Sequence, residues 1–382
     1  MKPLIGKNAA TPLRRILFWL HLAAGVLCGV IVLFMSATGV LLTYEHAMLR
    51  AAADAVRVEA PTGAERVPLD AVAQGVAGER PVGLRLPTRA EGAFLVQGRG
   101  VEPRLIDPYT GETIESSLSG MESFFSQVAR LHRWFGLEGE GRDVGRALTG
   151  AANLAFLFLI VSGLVLWLPR TLRWPLIRRQ VAFQKGAPDG RARDYNWHHV
   201  FGFWSLVPLF VIVTTGVVMS YPWANNALYA AFGETPPQRG GPPRAGGGGE
   251  TSLPQAGPLV SLEEAAEVVR AASSRWTAID LSVPPAGAQT RIAEFTVHTG
   301  DRTLPQQRRT VRVDRADGTI VSEEGYDPTP AGRARTFVRF GHTGEAFGLI
   351  GSTVAGLSSI GACFLVWTGF ALAWRRLVPA KR

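Results

Sequence analysis

The chain has 382 residues, of which 47% are hydrophobic, and a formal net charge of +9 at pH 7. Four apolar stretches, at about 16–44, 145–169, 199–221 and 346–374, are each long enough for the roughly 20-residue helix that crosses a bilayer, which argues against an ordinary soluble protein. The excess positive charge lies in short segments beside these stretches and not in one basic domain, which argues against nucleic-acid binding.

The basic segments predict the orientation of the chain. Residues 1–15, 170–195 and 375–382 together hold 15 of the 40 Lys and Arg residues and two of the acidic ones. Four crossings put these segments on one side of the membrane, and the positive-inside rule makes that side the cytoplasm. We therefore expect both termini in the cytoplasm. The first apolar stretch is longer than the core of a signal peptide, so we expect it to remain as a helix.

The two long segments between the crossings have the same predicted order of elements. In the first, a helix at 68–76 is followed by β-like runs at 82–87, 93–98 and 103–114. In the second, a helix at 261–272 is followed by β-like runs at 278–283, 292–298 and 309–322. Ser261 and Glu264 form a capping-box pattern ahead of the second helix. Each segment thus predicts one helix with a small antiparallel sheet.

Both segments end in the same hairpin pattern, in which Asp107 precedes Gly111 and Asp314 precedes Gly318 by four residues. Glycine supplies the positive φ that such turns need. A Gly- and Pro-rich stretch at 236–250 predicts a mobile loop.

The sequence therefore predicts an internally duplicated, mixed α/β membrane protein: a four-transmembrane-helix bundle with two outer α+β domains. The predicted regions are an N-terminus with helix 1 (1–47), the first outer domain (48–142), helix 2 (143–170), a basic cytoplasmic loop (171–195), helix 3 (196–222), the second outer domain (223–343), and helix 4 with the tail (344–382).

Four of the seven histidines lie at the edges of the four apolar stretches. Three of them, His21, His132 and His198, are followed by Gly four residues later, and the fourth is His342. By the predicted topology, His21 and His198 lie near the cytoplasmic face, and His132 and His342 near the outer face. Each pair then takes one histidine from each half of the chain.

Paired imidazoles without accompanying Cys or carboxylate ligands suit the two axial positions of a haem iron better than structural zinc, which takes four ligands. Gly25 and Gly202, one turn after His21 and His198, are expected to leave room for the flat macrocycle. Gly39 and Gly216 are expected to clear space for a second haem. The pattern predicts two haems without covalent attachment, because no C-x-x-C-H motif exists, and Cys28 and Cys363 lie inside apolar helices.

Other residues are alternatives or supporting groups. His199 adjoins His198 and points about 100° away on a helix, so only one of the two faces the bundle; Gly202 favours His198. His46, at the outer end of helix 1, and Arg133 are expected near a haem without ligating its iron. His298 is expected to be exposed to solvent.

The segments LHRWFG…SGLVLWLPR, WHHVFGFW…TTGV and HTGEAFGLIG…TGFALAWRR resemble the PepSY-associated transmembrane family of bacterial inner-membrane proteins, over about residues 12–376. The outer hairpins resemble the PepSY module. Four helices without an appended flavodoxin-like or NADPH-binding domain resemble the ferric-siderophore reductases of the FoxB type. This resemblance implies an inner-membrane oxidoreductase with periplasmic PepSY-like domains, and haem ligands at His21, His132, His198 and His342. The family often has Arg at the position of His199, which leaves open whether His198 or His199 ligates.

The implied reaction is transfer of electrons through two haems to a periplasmic ferric siderophore, reducing Fe(III) to Fe(II) and releasing iron. No nucleotide- or flavin-binding fingerprint is present, so quinol or a separate cytoplasmic reductase is expected to supply the electrons. The rival interpretations are a non-catalytic binding or sensor protein with PepSY-like domains, and a siderophore transporter. Against transport, the helices lack the paired carboxylates used to couple ions.

Overall fold

The computed structural model describes residues 12–378 except 90, 99–100, 170, 172, 187–188, 238–257, 289, 301–303 and 327. The chain divides into two compact units. The helical unit comprises Met1–Tyr44, Gln127–Glu234 and Ala334–Arg382, and the sheet unit comprises Glu45–Ser126 and Thr235–Arg333. Most of the Gly- and Pro-rich stretch at 236–250, from residue 238 onward, lies outside the described residues.

Four long helices build the helical unit: α1 (Pro12–Leu42), α5 (Gly141–Trp167), α7 (Gly190–Ser220) and α11 (Gly348–Leu377). All four are long and apolar enough to cross a membrane, which confirms the four predicted apolar helices. Each packs against two others, so that α1, α5, α7 and α11 follow one another around a closed bundle.

Shorter helices precede, follow or connect these long ones. They are α2 (Glu45–Ala55), α3 (Leu69–Val76), α4 (Leu118–Trp134), α6 (Trp174–Val181), α8 (Pro222–Ala230), α9 (Leu262–Ala272) and α10 (Pro330–His342), with 3-10 turns at Pro305–Gln307 and Glu345–Phe347. The sequence analysis did not predict α4 or α10, the two helices that carry His132 and His342.

Two close backbone approaches fix the entries into α5 and α11. Gly145 of α5 lies so close to the carbonyl of Trp134 at the end of α4 that a Cβ atom there would collide with it. Gly351 of α11 meets the carbonyl of Gly344 in the same way. The Thr149 hydroxyl adds a 2.9 Å hydrogen bond to the Arg133 carbonyl. The ends of the helices that carry His132 and His342 are thereby held against the bundle.

The eight strands of the sheet unit form one antiparallel sheet in the order β4-β3-β2-β1-β5-β6-β7-β8. They are β1 (Val82–Arg85), β2 (Phe94–Gly98), β3 (Val101–Ile106), β4 (Thr113–Ile114), β5 (Ala278–Val283), β6 (Ile292–His298), β7 (Arg308–Asp314) and β8 (Thr319–Gly325). The expectation of two separate small sheets is corrected, because β1 pairs with β5 from Val82–Val283 to Arg85–Asp280. This pairing satisfies two strand edges that would otherwise be open.

Helices α3 and α9 contribute to the core of the sheet unit, together with alternate side chains of the strands. The strand residues Leu84, Val96, Phe295, Val297 and Val313 have no exposed surface. The capping box of Ser261 and Glu264 at the start of α9 is confirmed.

The predicted hairpin turns are also confirmed. Gly111 and Gly318 have φ of 73° and 75°. Their amides donate to the carbonyls of Asp107 and Asp314 across 2.9 and 2.8 Å. Both turns therefore need the conformational freedom of glycine.

A buried charged cluster lies on the central strands, and it includes His298. Only 3% of His298 is exposed, so the expectation of an exposed side chain is wrong. Its Nε2 lies 2.9 Å from Asp280 Oδ2, and Arg85 donates two hydrogen bonds of 2.6 and 2.9 Å to the same carboxylate. Burial alone would raise the pKa of Asp280, but the hydrogen bonds from His298 and Arg85 outweigh it and lower the pKa to about 2.

Candidate functional site

The four predicted histidines all lie in the helical unit. His21 is in α1 and His198 is in α7, whereas His132 is in the last turn of α4 and His342 is the last residue of α10. The imidazoles of His132 and His342 meet edge to face, with ring centres 6.5 Å apart and planes inclined by 68°. His21 and His198 lie close enough to interact electrostatically. The structure thus brings together the same two pairs that the topology predicted.

The two pairs lie at different levels of the bundle. His132 is hydrogen-bonded to Thr38 of α1, and His342 to Thr215 of α7. Thr38 follows His21, and Thr215 follows His198, by 17 residues along the same helix, which corresponds to about 25 Å. The bundle therefore holds one histidine pair toward each of its ends.

Each of the four imidazoles uses its Nδ1 to contact a hydroxyl group on another helix. The pairs are His21 with Ser162 at 2.8 Å, His198 with Thr368 at 2.9 Å, His132 with Thr38 at 2.9 Å, and His342 with Thr215 at 3.2 Å. His342 Nδ1 also lies 2.8 Å from the carbonyl oxygen of Ile212. A Ser or Thr hydroxyl thus fixes the ring of every predicted ligand.

The hydroxyl groups also fix where each imidazole carries its proton. A hydroxyl has one hydrogen to donate. Each of the four lies 2.6–2.8 Å from the carbonyl four residues earlier in its own helix, and donates there. It must then accept from the histidine, so Nδ1 carries the hydrogen and Nε2 keeps its lone pair. Neutral imidazole with a free Nε2 is the form that binds a metal ion.

Glycine follows the hydroxyl residue in all four cases, as Gly39, Gly163, Gly216 and Gly369. At Gly39, Gly163 and Gly369, an added Cβ atom would lie 3.4–3.6 Å from Cε1 of the histidine that the preceding Ser or Thr contacts. The fourth, Gly216, instead lies against the Asn153 side chain. The Ser/Thr-Gly pairs therefore form the wall behind the imidazoles. The expectation that Gly39 and Gly216 clear space for a second haem stays a prediction.

The glycines one turn after His21 and His198 lie against neighbouring helices, and their role in leaving room for a haem stays a prediction. A Cβ atom on Gly25 would contact Leu159 of α5, and one on Gly202 would contact Leu365 of α11, at 3.9 and 3.7 Å. Both glycines face a leucine of the neighbouring helix, so they serve the packing of the bundle.

The alternative residues make different contacts, although the ring centre of His199 lies only 6.4 Å from that of His198. His199 Nδ1 donates to the Tyr195 carbonyl across 2.9 Å, and its ring lies on the Tyr195 ring at 4.1 Å. His46 is an exposed residue of α2 in the sheet unit. Arg133 is exposed, with its guanidinium group 6.0 Å from the Trp134 ring centre. The hydroxyl contact therefore singles out His198 and not His199.

The spacing of His132 and His342 fits bis-histidine ligation of a haem iron. With metal–nitrogen bonds of about 2 Å, two imidazoles that share one metal ion have ring centres roughly 6 Å apart, as His132 and His342 do. Within the described part of the chain, no group of three or more His, Cys, Asp and Glu side chains converges on a metal-sized site. The metal-binding potential of the helical unit thus rests on imidazole pairs.

A search of the curated proteins finds no match to this chain. The family model described as the PepSY-associated TM region matches residues 18–376, which is nearly the whole chain and includes both histidine pairs. The chain therefore belongs to the PepSY-associated TM region family.

Proposed function

We propose that the protein is an inner-membrane ferric-siderophore reductase that carries two b-type haems. His21 and His198 hold one haem, and His132 and His342 hold the other. Electrons enter at the cytoplasmic side and leave at the periplasmic side, where Fe(III) bound by a siderophore is reduced to Fe(II). The chelator's hard oxygen ligands hold Fe(II) less tightly, so iron is released.

The observation that carries this proposal is the shared hydrogen-bonding state of the four imidazoles. Each Nδ1–H donates a hydrogen bond to an oxygen of a neighbouring helix. The four Nε2 lone pairs, in two groups, are left available for a metal ion. A histidine whose role is only to fill space at a membrane edge has no need of this arrangement. Ionisable side chains within membrane segments are costly and are typically retained for function.

Haem supplies one-electron chemistry when bound, and the protein supplies position and surroundings. Ser162 and Thr368 hold the rings of one pair, and Thr38 and Thr215 hold the other. The hydroxyl groups are held in turn by bonds to their own helices, so an imidazole can turn only by breaking its contact with a fixed hydroxyl group. The packed helices restrict water access, which favours electron transfer over side reactions with solvent.

Two features of the chain support its proposed orientation in the membrane and its internal duplication. The basic segments at 1–15, 170–195 and 375–382 support cytoplasmic termini. The sheet unit is then periplasmic, and its halves are the two PepSY-like modules. The mirrored strand order around β1 and β5 supports an internal duplication.

The experiment is a reoxidation assay with the purified, dithionite-reduced protein. A ferric hydroxamate chelate is added, haem absorbance is followed, and Fe(II) is trapped by a ferrous-specific ligand. We expect haem oxidation and Fe(II) formation in equal amounts. The Ga(III) complex of the same chelator is the matched control, because it has the same shape and charge but cannot be reduced. Equal reoxidation rates with the iron and gallium complexes would refute the reductase proposal.

A further inference from the structure

A cavity of about 190 Å³ lies between α7 and α11, beside the residues that hold His198. Its lining comprises Arg193, Asp194, Trp197, Phe364, Trp367 and Thr368. The lining includes Thr368 but not His198. The Thr368 hydroxyl accepts a hydrogen bond from His198 Nδ1 across 2.9 Å. A molecule in the cavity would therefore be separated from a proposed haem ligand by one hydroxyl group.

Asp194 gives the cavity an unusual polar group for a membrane helix. It lies one turn before His198, and only 2% of the residue is exposed. Arg193 donates two hydrogen bonds to Oδ1, at 3.0 and 2.9 Å, and Arg375 donates to Oδ2. A carboxylate has about four lone-pair sites, so one acceptor site remains on Asp194. Thr368 Oγ1 donates to the Phe364 carbonyl and accepts from His198, which leaves it one acceptor site as well.

The other walls of the cavity are aromatic. Trp197 and Phe364 meet edge to face, with ring centres 6.1 Å apart. Trp367 is 63% exposed on the outer surface of its apolar helix, so the cavity can be reached from the side of the bundle. Aromatic walls with a few acceptor groups suit a flat ring that carries hydroxyl groups. An anionic lipid phosphodiester has no hydrogen to donate to these acceptor sites.

We propose that this cavity binds the head group of a membrane quinol, which is the electron donor of the protein. This inference rests on the proposed function, and it decides between quinol and a cytoplasmic reductase. Asp194 and Thr368 accept hydrogen bonds from quinol hydroxyl groups, and Trp197, Phe364 and Trp367 pack on the ring. Oxidation breaks both quinol O–H bonds and yields quinone, two electrons and two protons. The electrons reduce two Fe(III) ions of the siderophore substrate in turn, and the protons pass to water at this end of the bundle.

The first test measures reduction of the haem-loaded protein by a short-chain quinol in stopped flow. We expect saturable reduction, and we expect Asp194→Asn and Trp367→Ala each to raise the half-saturating quinol concentration about tenfold, because each removes a contact to the head group. Trp374→Ala is the matched control, since Trp374 is 68% exposed on the same helix and lies outside the cavity lining. Its half-saturating concentration is expected to stay within about twofold of the wild type.

The second test does not depend on haem. The oxidised quinone is titrated against tryptophan fluorescence, and we expect saturable quenching that weakens in Trp367→Ala and Asp194→Asn but not in Trp374→Ala. Reduction by dithionite but not by quinol, or unchanged quinol dependence in both cavity variants, would overturn the quinol site while leaving the haem proposal intact. A fluorescence response to anionic lipid vesicles but not to quinone would assign the cavity to lipid and also overturn it. A protein without haem that still binds quinone would refute the proposed function alone.

Discussion

Replacing His132 by alanine is expected to remove one of the two haems and leave the other in place. The same result is expected for His342→Ala, because the two rings are 6.5 Å apart and we propose that they share one iron. The haem of His21 and His198 should survive in both variants, since its ligands lie about 25 Å away along α1 and α7. The measurement is the haem-to-chain ratio, together with the reduced-minus-oxidised spectrum of each variant.

Thr38 gives a finer control for the same pair. Thr38→Val keeps the shape of the side chain but removes the acceptor for His132 Nδ1–H, so we expect haem affinity at this site to fall about 10- to 100-fold. Thr38→Ser retains the hydroxyl and should restore binding. Loss of both haems in His132→Ala, or equal binding by the valine and serine variants, would contradict the assigned pairs.

Replacing Asp280 by asparagine is expected to destabilise the sheet unit by about 3–5 kcal/mol, because the largely buried Arg85 would then lose its counter-charge. The measurement is hydrogen exchange of the β5 and β6 amides in the full-length protein, where we expect rates to rise about 100-fold or more. Glu294→Gln is the matched control, because this carboxylate also pairs with an arginine, Arg312, but its side chain is 41% exposed. Surface pairs of that kind contribute about 1 kcal/mol or less.

The same carboxylate predicts a dependence on pH. The pKa of Asp280 is lowered from 3.8 to about 2, so the unfolded chain binds a proton more readily than the folded one. The stabilisation is therefore present above about pH 4 and is lost as the pH falls toward 2, amounting to roughly 2 kcal/mol. Asp280→Asn should show a smaller loss of stability over this interval than the wild type. Equal acid sensitivity of the two proteins would show that Asp280 does not carry the effect.

Local sequence patterns predicted much of the fold. The apolar stretches predicted the four long helices, and the Asp-x-x-x-Gly patterns predicted the hairpins at Asp107–Gly111 and Asp314–Gly318. Both are local features, because helix length and turn geometry depend on neighbouring residues. The pairing of β1 with β5 joins residues nearly 200 positions apart and has no local signal. His298 was misplaced for a similar reason, since its partner Asp280 lies on the adjacent strand and only the register shows that they meet.

The sequence predicted histidine pairs but not the groups that hold them. Four histidines at the edges of four apolar stretches, together with the topology, predicted that His132 and His342 lie together, and the structure places their ring centres 6.5 Å apart. The Thr-Gly and Ser-Gly repeats were visible in the sequence, but their contacts cross to another helix: Thr38, for example, holds a histidine 94 residues away. A search for Ser and Thr residues that lie at the same depth in the bundle as the histidines would have identified these contacts.

We propose that each of the two histidine pairs binds one b-type haem, and the haem content of the purified protein shows whether they do. The protein is purified from haem-replete cells, its fold is checked by circular dichroism, and haem b is quantified per chain with a low-temperature spectrum. The account predicts two haem b molecules per chain, both low-spin and six-coordinate. A folded, colourless protein that takes up no haem on addition would contradict it.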